Sequence, residues 1–346
     1  MTDTLPTVNR QWVLAARPQG KLKPSDFGYR EQPFDLGALG PGHVAVRNRV
    51  FLTGPVTRRF LDAPGPMNRF ALPIGDPLGA SIGGEVLASN HPDFTPGMLV
   101  EGAGKWEDVS FVDPTRVGLL PVPEGMTLRE TVGGLSGNSL TAYFGIYDVG
   151  QPKAGETVVV SAAAGSVGMM ACQFAKLGGC RVIGIAGARD KCDWLTDELK
   201  CDGAIDYKSE DVAARLKELC PKGVDVYFDN VGGAITQAVI DNIAPFGRVA
   251  VCGQVSSYNG GVAPGPADMM KIVYWSVRIE GFRVASYADR YTEARQKIRE
   301  WFQEGTLISR EDVRLGFDNL PSAFMSLFEG SNIGSMIVDT SDDPVR

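Results

Sequence analysis

No cysteine precedes Cys172 in this chain of 346 residues, and its two histidines, His43 and His91, stand far apart. A zinc site needs three or four thiolate, imidazole or carboxylate ligands at close quarters, and no Cys/His cluster is present to supply them. The six cysteines (172, 180, 192, 201, 220 and 252) form no CxxC pair. Scattered in this way, they are expected to be reduced and buried. Basic residues are outnumbered, 34 against 41, for a net charge of -7. No clustered basic surface is visible, which argues against a nucleic-acid partner. No apolar run is long enough to span a bilayer, which argues against a membrane protein. The start, MTDTLPTVNRQWVLAARP, lacks a charged segment followed by a continuous apolar one. It does not read as a signal peptide, so the expected address is cytoplasmic.

The length favours two domains over one core. Up to about Pro123 the chain is rich in Gly and Pro, with short β-type runs such as HVAVRNRVFL and GGEVLAS. These suit a compact all-β unit. From Thr131 strand and helix patterns alternate, the mark of βαβ units and a parallel sheet. TVVVSA reads as a strand buried on both faces, AAGSVG as a turn, and Val167, Met170, Ala171, Phe174 and Ala175 recur at helical spacing. RVIGIAG and VDVYFD read as further strands, VGGAITQAVIDNIAPFG as a helix, RVAVCG and RIEGF as strands. ADRYTEARQKIREWFQEG then reads as a charged amphipathic helix. The fold class expected is α/β, a Rossmann doubly wound parallel sheet plus a β-rich domain.

AAAGSVG lies between a buried strand and a helix, where a dinucleotide pyrophosphate would sit on the helix N-terminus. Ala163 stands where the first glycine of GxGxxG would be, so the spacing alone does not separate a nucleotide turn from an ordinary βα turn. The next strand ends in Ala186, Gly187 and Ala188 rather than in a carboxylate, with Lys191 just beyond. That arrangement favours a 2′-phosphate and hence NADPH over NADH. Asp190 is expected to point elsewhere.

ETVVVSAAAGSVGMMACQFAKLGGCRVIGIAG, VYFDNVGG, VCGQVSSYN and IEGF, with RQWVLAARP and SNHPDF, together resemble the prostaglandin reductase and alkenal double-bond reductase family. This family of zinc-independent medium-chain dehydrogenases/reductases includes bacterial curcumin reductase. The resemblance covers nearly the whole chain. It implies a GroES-like substrate domain over residues 1–130 with 310–346, and a Rossmann NADP-binding domain over residues 131–309. It also implies an active site in the cleft between domains, a homodimer, and NADPH-dependent reduction of the C=C bond of an α,β-unsaturated carbonyl, a small-molecule substrate.

Carried over position by position, the resemblance places Gly165, Val167 and Gly168 in the pyrophosphate loop. It puts Gly187, Lys191 and Tyr207 at the adenosine phosphate, and Asn230 and Cys252 along the cofactor. Tyr258, Phe282 and Val284 fall at the nicotinamide, Asn332 reaches the cofactor, and Asn48 and Thr141 hold its nicotinamide end.

Two segments depart from the family pattern. LTGPVTRRFLD replaces a stretch like LSLDPYMRGRM, so that Val56 stands for a tyrosine. LSGNSLTAY replaces LGMPGLTAY, which sets Ser136, Gly137, Asn138 and Ser139 beside the cofactor. Ser335 stands where lysine is usual. These changes touch the substrate side. They leave open an ene reductase with a reshaped pocket, a carbonyl or quinone reductase or reverse dehydrogenase, and a redox-sensing NADPH binder. With Val56 unable to donate a proton, Tyr258 is the expected catalytic donor. Asn138 or Ser139 is the competing choice, and Arg58 or Arg59 is a further candidate for orienting an anionic substrate.

Overall fold

The computed structural model describes residues 5–66, 68–261 and 264–343. The chain divides into two compact units. One takes the chain up to Ser136 and again from Glu311 onward, and the other runs Gly137–Arg310.

The first unit opens with β1 (Val8–Leu14) and β2 (Phe27–Pro33), paired antiparallel. There follow β3 (Val44–Leu52), the single-turn α1 (Thr57–Phe60), β4 (Gly79–Ser89), β5 (Leu99–Lys105) and β6 (Val109–Val112). Then come α2 (Pro114–Val117), β7 (Leu120–Pro121) and α3 (Leu128–Gly134). HVAVRNRVFL and GGEVLAS thus form β3 and β4. Helix α3 starts where it does because Thr127 and Glu130 close a reciprocal capping box: Glu130 N–H donates to Thr127 Oγ1 and Thr127 N–H to Glu130 Oε2.

In the second unit α4 (Gly137–Phe144) runs on into a wider helical turn to Gly150. Alternating elements follow: β8 (Thr157–Ser161), α5 (Ser166–Leu177), β9 (Arg181–Ala186), α6 (Arg189–Asp197), β10 (Gly203–Asp206) and α7 (Val212–Leu219). Next are β11 (Val224–Asp229), α8 (Gly233–Asp241), β12 (Ile243–Val251), α9 (Met269–Tyr274), β13 (Arg278–Gly281) and α10 (Tyr291–Gln303). The tail supplies β14 (Glu311–Leu315), α11 (Leu320–Ser326) and β15 (Ser335–Asp339) to the first unit.

The sheet of the second unit has the order β10-β9-β8-β11-β12-β13, every pair parallel. Counted from β8 this is 3-2-1-4-5-6, the Rossmann order. Strand β8 is buried at every residue, as a central strand covered by helices must be. In the first unit the sheet runs β14-β15-β3-β4-β5-β7, with β6 also pairing β3. Leu14, Phe51, Leu61, Ile82, Trp106 and Phe324 belong to its buried core.

One boundary corrects the sequence reading. The stretch VGGAITQAVIDNIAPFG is not one helix: α8 ends at Asp241 and β12 begins at Ile243. Ile243 pairs with Val224 of β11, and Ile243 and Val224 are both core residues. Pairing with a buried neighbouring strand outweighs a local apolar spacing that strand and helix can share.

Candidate active site

Strand order reverses between β8 and β11, and in open α/β sheets ligands bind beyond the carboxyl ends of the strands at that point. Ser161 ends β8 and Asp229 ends β11, and two bonds tie these ends together. Asn230 N–H donates to Ser161 Oγ (2.9 Å), and Asn230 Nδ2 donates to the Ser161 carbonyl (2.7 Å). Asn230 is therefore held at the mouth of the crevice.

Asp229 fixes the turn that carries Asn230. Its buried carboxylate accepts from Val231 N–H (2.9 Å), Gly232 N–H (2.9 Å), Tyr227 Oη (2.9 Å) and Thr236 Oγ1 (2.5 Å). Ser161 Oγ adds a longer contact at 3.5 Å, and such converging donors are what a buried carboxylate needs. Neither Asp229 nor Ser161 stands out in the sequence. The only signals are a hydroxyl closing the apolar run TVVVS and an acid closing VDVYFD.

Beyond Ser161 the chain turns sharply through Ala162, whose φ of +48° lies in the left-handed region. Gly165 is the N-cap of α5 and, having no side chain, caps nothing. Ser166, Val167 and Gly168 form the first turn, whose N–H groups lack partners within the helix and carry its positive partial charge. Position 168 requires glycine: a Cβ there would lie 2.2 Å from the Ala162 carbonyl oxygen and 2.7 Å from Ala163 Cα. An anion-binding N-terminus thus packs hard against its own strand-helix turn.

Gly187 and Tyr207 meet beyond the end of β9. Gly187 is buried, and a Cβ on it would meet the Tyr207 ring at 2.6 Å. Lys191, in the first turn of α6, is only 7% exposed, whereas Asp190 beside it is exposed. The cation is thus turned inward and the acid outward. Burial also strengthens any charge pair Lys191 makes.

The carboxyl ends of β12 and β13 carry the other half of the crevice. Burial and the nearby Asp229 carboxylate push the Cys252 thiol up to about 12, so it stays a neutral lining group. The Tyr258 phenol folds back over Gly253 and accepts from Gln254 N–H at 3.4 Å. A Cβ on Gly253 would stand 3.2 Å from Tyr258 Oη and 3.3 Å from the Asn230 carbonyl, so Tyr258 and Asn230 share one spot. Phe282 packs edge-on against Phe228, ring centroids 6.2 Å apart, and Val284 follows in a short 3-10 turn. Val251, Gly281, Phe282, Arg283, Ser286 and Tyr287 line an open cavity of about 510 Å³.

The altered segment is placed differently from the sequence expectation. Asn138 does not stand as a spare donor: its Nδ2 donates to Ser166 Oγ at 2.9 Å. Thr141 Oγ1 donates to the Gly137 carbonyl (2.7 Å) on its own helix. The hydroxyls of Ser136 and Ser139 are buried and have no hydrogen-bond partner among the described residues.

In the first unit Asn48 is 3% exposed on β3, and its Nδ2 donates to the Glu107 carbonyl (2.7 Å) and Ser110 Oγ (3.0 Å). Its Oδ1 is buried and has no hydrogen-bond partner among the described residues, which leaves an acceptor for a ligand amide. Val56 is 56% exposed. Arg58 is not a solvated cation: it is 2% exposed, donating to Asp62 Oδ1 (2.6 Å) and the Gly20 carbonyl (3.2 Å). Arg59 pairs with the same aspartate. Both arginines therefore serve the loop around α1. Asn332 Nδ2 donates to the Gly334 carbonyl (2.9 Å), and Ser335 is fully buried. Among the described residues no three His, Cys, Asp or Glu side chains gather as a metal site.

Comparison with known proteins bears on this arrangement. Residues 10–120 match the family described as "N-terminal domain of oxidoreductase" and residues 166–300 the one described as "Zinc-binding dehydrogenase". The chain is 36% identical to an NADPH-dependent curcumin reductase of Escherichia coli, covering 97% of this chain and 98% of that protein. It is equally identical to an NADP⁺-dependent 2-alkenal reductase of Nicotiana tabacum over 96% of this chain and 98% of that one. The chain belongs to the curcumin and alkenal reductase family of medium-chain dehydrogenases/reductases. It is an oxidoreductase, built of Rossmann and GroES-like domains. The crystal structure of Vibrio vulnificus CurA in complex with NADPH superposes with a TM-score of 0.86 at 34% identity, covering 96% of this chain and 99% of that one.

Proposed function

We propose that this oxidoreductase reduces the C=C bond of α,β-unsaturated carbonyl compounds with NADPH. The observation that carries the reading is the tie between Asn230 and Ser161 at the switch point, beside a glycine turn opening on the N-terminus of α5. The residues present fit a dinucleotide. The close packing at Gly168 and the buried Lys191 suit a pyrophosphate and a 2′-phosphate. When bound, NADPH supplies a hydride to the substrate β-carbon.

The chain's own work is placement and charge. Gly165, Val167 and Gly168 hold the pyrophosphate through backbone N–H groups. Gly187, Lys191 and Tyr207 hold the adenosine phosphate. Asn230 and Cys252 line the cofactor, Phe282 and Val284 flank its nicotinamide, and Thr141 holds that end. Tyr258 is the catalytic residue, donating a hydrogen bond to the carbonyl oxygen as negative charge develops there. The neutral Cys252 thiol adds no competing nucleophile.

We further infer a cytoplasmic homodimer that needs no zinc. All six cysteines are free, five of them buried. Strand β13 is a sheet edge, and Phe246, Met269, Val273, Tyr274 and Ile279 are exposed near it, an apolar surface suited to a second copy. No described helix is long and apolar enough to cross a membrane.

NADPH consumption over a panel of enones, enals, quinones and ketones tests the reading. Turnover restricted to conjugated alkenes supports it. Preference for saturated ketones or quinones overturns it.

A further inference from the structure

The segment that departs from the family's proline-bearing pattern touches the cofactor turn rather than open space. Asn138, in the first turn of α4, donates from Nδ2 to Ser166 Oγ at 2.9 Å, and Ser166 is the first residue of α5. We propose that Asn138 is a positioning residue for the cofactor pyrophosphate, turning the Ser166 hydroxyl toward a phosphate oxygen.

An amide nitrogen has two hydrogens and no lone pair to offer. Ser166 Oγ must therefore accept from Asn138, and the hydroxyl hydrogen is directed away from that nitrogen. Gly165 at the N-cap contributes no side chain, so the Ser166 hydroxyl is the polar side chain of α5's opening turn. There it joins the backbone N–H groups and the helix dipole, all of which favour an anion. An oxygen that already accepts a hydrogen bond is also the stronger donor, because chained hydrogen bonds polarise one another. Proline at position 138, as in the family pattern, has no side-chain donor and could not make this bond.

The proposal rests on a nicotinamide dinucleotide filling the crevice, and the experiment separates it from the choice of NADPH. Dissociation constants for NADPH, NADH and adenosine 2′-monophosphate, which lacks a pyrophosphate, are measured by calorimetry on Asn138→Ala, Ser166→Ala, the double variant and Asn138→Asp. Each single variant should weaken NADPH and NADH about ten-fold or more, the usual size for a hydrogen bond to a charged group. The double variant should be no weaker than either single one, as expected of residues acting in series. Melting temperature and adenosine 2′-monophosphate affinity should not move. Asn138→Asp should be worse than Asn138→Ala, because a carboxylate takes the Ser166 hydrogen and repels the phosphate. Equal losses for all three ligands, additive losses in the double variant, or Asn138→Asp no worse than Asn138→Ala would overturn the proposal. Wild-type protein that binds NADH but not adenosine 2′-monophosphate overturns the NADPH reading alone, since the Asn138 effect is then read with NADH.

Discussion

The ring of Tyr207 lies over Gly187, its Cε1 only 2.6 Å from where a Cβ on that glycine would stand. Tyr207 is 43% exposed, so the ring can swing aside. At Gly168 the obstructing atoms are backbone, the Ala162 carbonyl among them, and cannot move without the turn. Gly187→Ala should therefore weaken NADPH binding while leaving the melting temperature nearly unchanged. Gly168→Ala should cost about 1–3 kcal/mol of stability, the usual penalty of overpacking. Thermal unfolding and cofactor titration on both variants check the contrast, and equal destabilisation would contradict it.

Lys191 is proposed to bind the 2′-phosphate. Lys191→Ala should weaken NADPH by roughly ten- to a hundred-fold, the worth of a charge-assisted contact, and NADH hardly at all. Equal losses for both cofactors, measured by titration, would remove Lys191 from that role.

Tyr258 is placed beside Asn230 and Gly253, at the carboxyl ends of the strands. Tyr258→Phe should lower turnover of the best enone about 10²- to 10³-fold, with NADPH affinity kept. Nearly full turnover in the variant would end the assignment and return attention to residues 136–139.

Glu107 is nearly buried in the first unit, accepting from Gln11 Nε2 (2.6 Å) and Ser110 Oγ (2.8 Å). Burial raises its carboxyl above the ordinary range despite these bonds. A raised folded-state value means that ionisation costs stability above it, a cost relieved as pH falls through it. Glu107→Gln should therefore stabilise the protein at neutral pH, by an amount that shrinks on acidification. Melting temperatures of both proteins across pH 4–8 check the sign.

The Rossmann sheet was legible because strands β8, β9 and β11 are short apolar runs and α5 has clear helical spacing. The α8–β12 boundary was not, because Ile243 and Ala244 fit either pattern until β11 is there to pair with. The glycine turn could be placed between β8 and α5 because strand, turn and helix follow one another along the chain. Asp229 could not, because its role depends on donors from Tyr227, Val231, Gly232 and Thr236 converging in space. Arg58 was open to a role in orienting an anionic substrate, since nothing in RRF announces that Asp62 and the Gly20 carbonyl will enclose it. Asn138 looked like a substrate-side donor until its bond to Ser166, 28 residues on, was seen.

The central claim is hydride delivery to an alkene carbon, and the position of the transferred hydrogen decides it. NADPH deuterated at the transferable position is incubated with the enzyme and a simple enone, and the product is examined by NMR. The account predicts a saturated ketone with deuterium on the β-carbon and the carbonyl intact. Deuterium on a carbinol carbon, with the C=C bond retained, would contradict it.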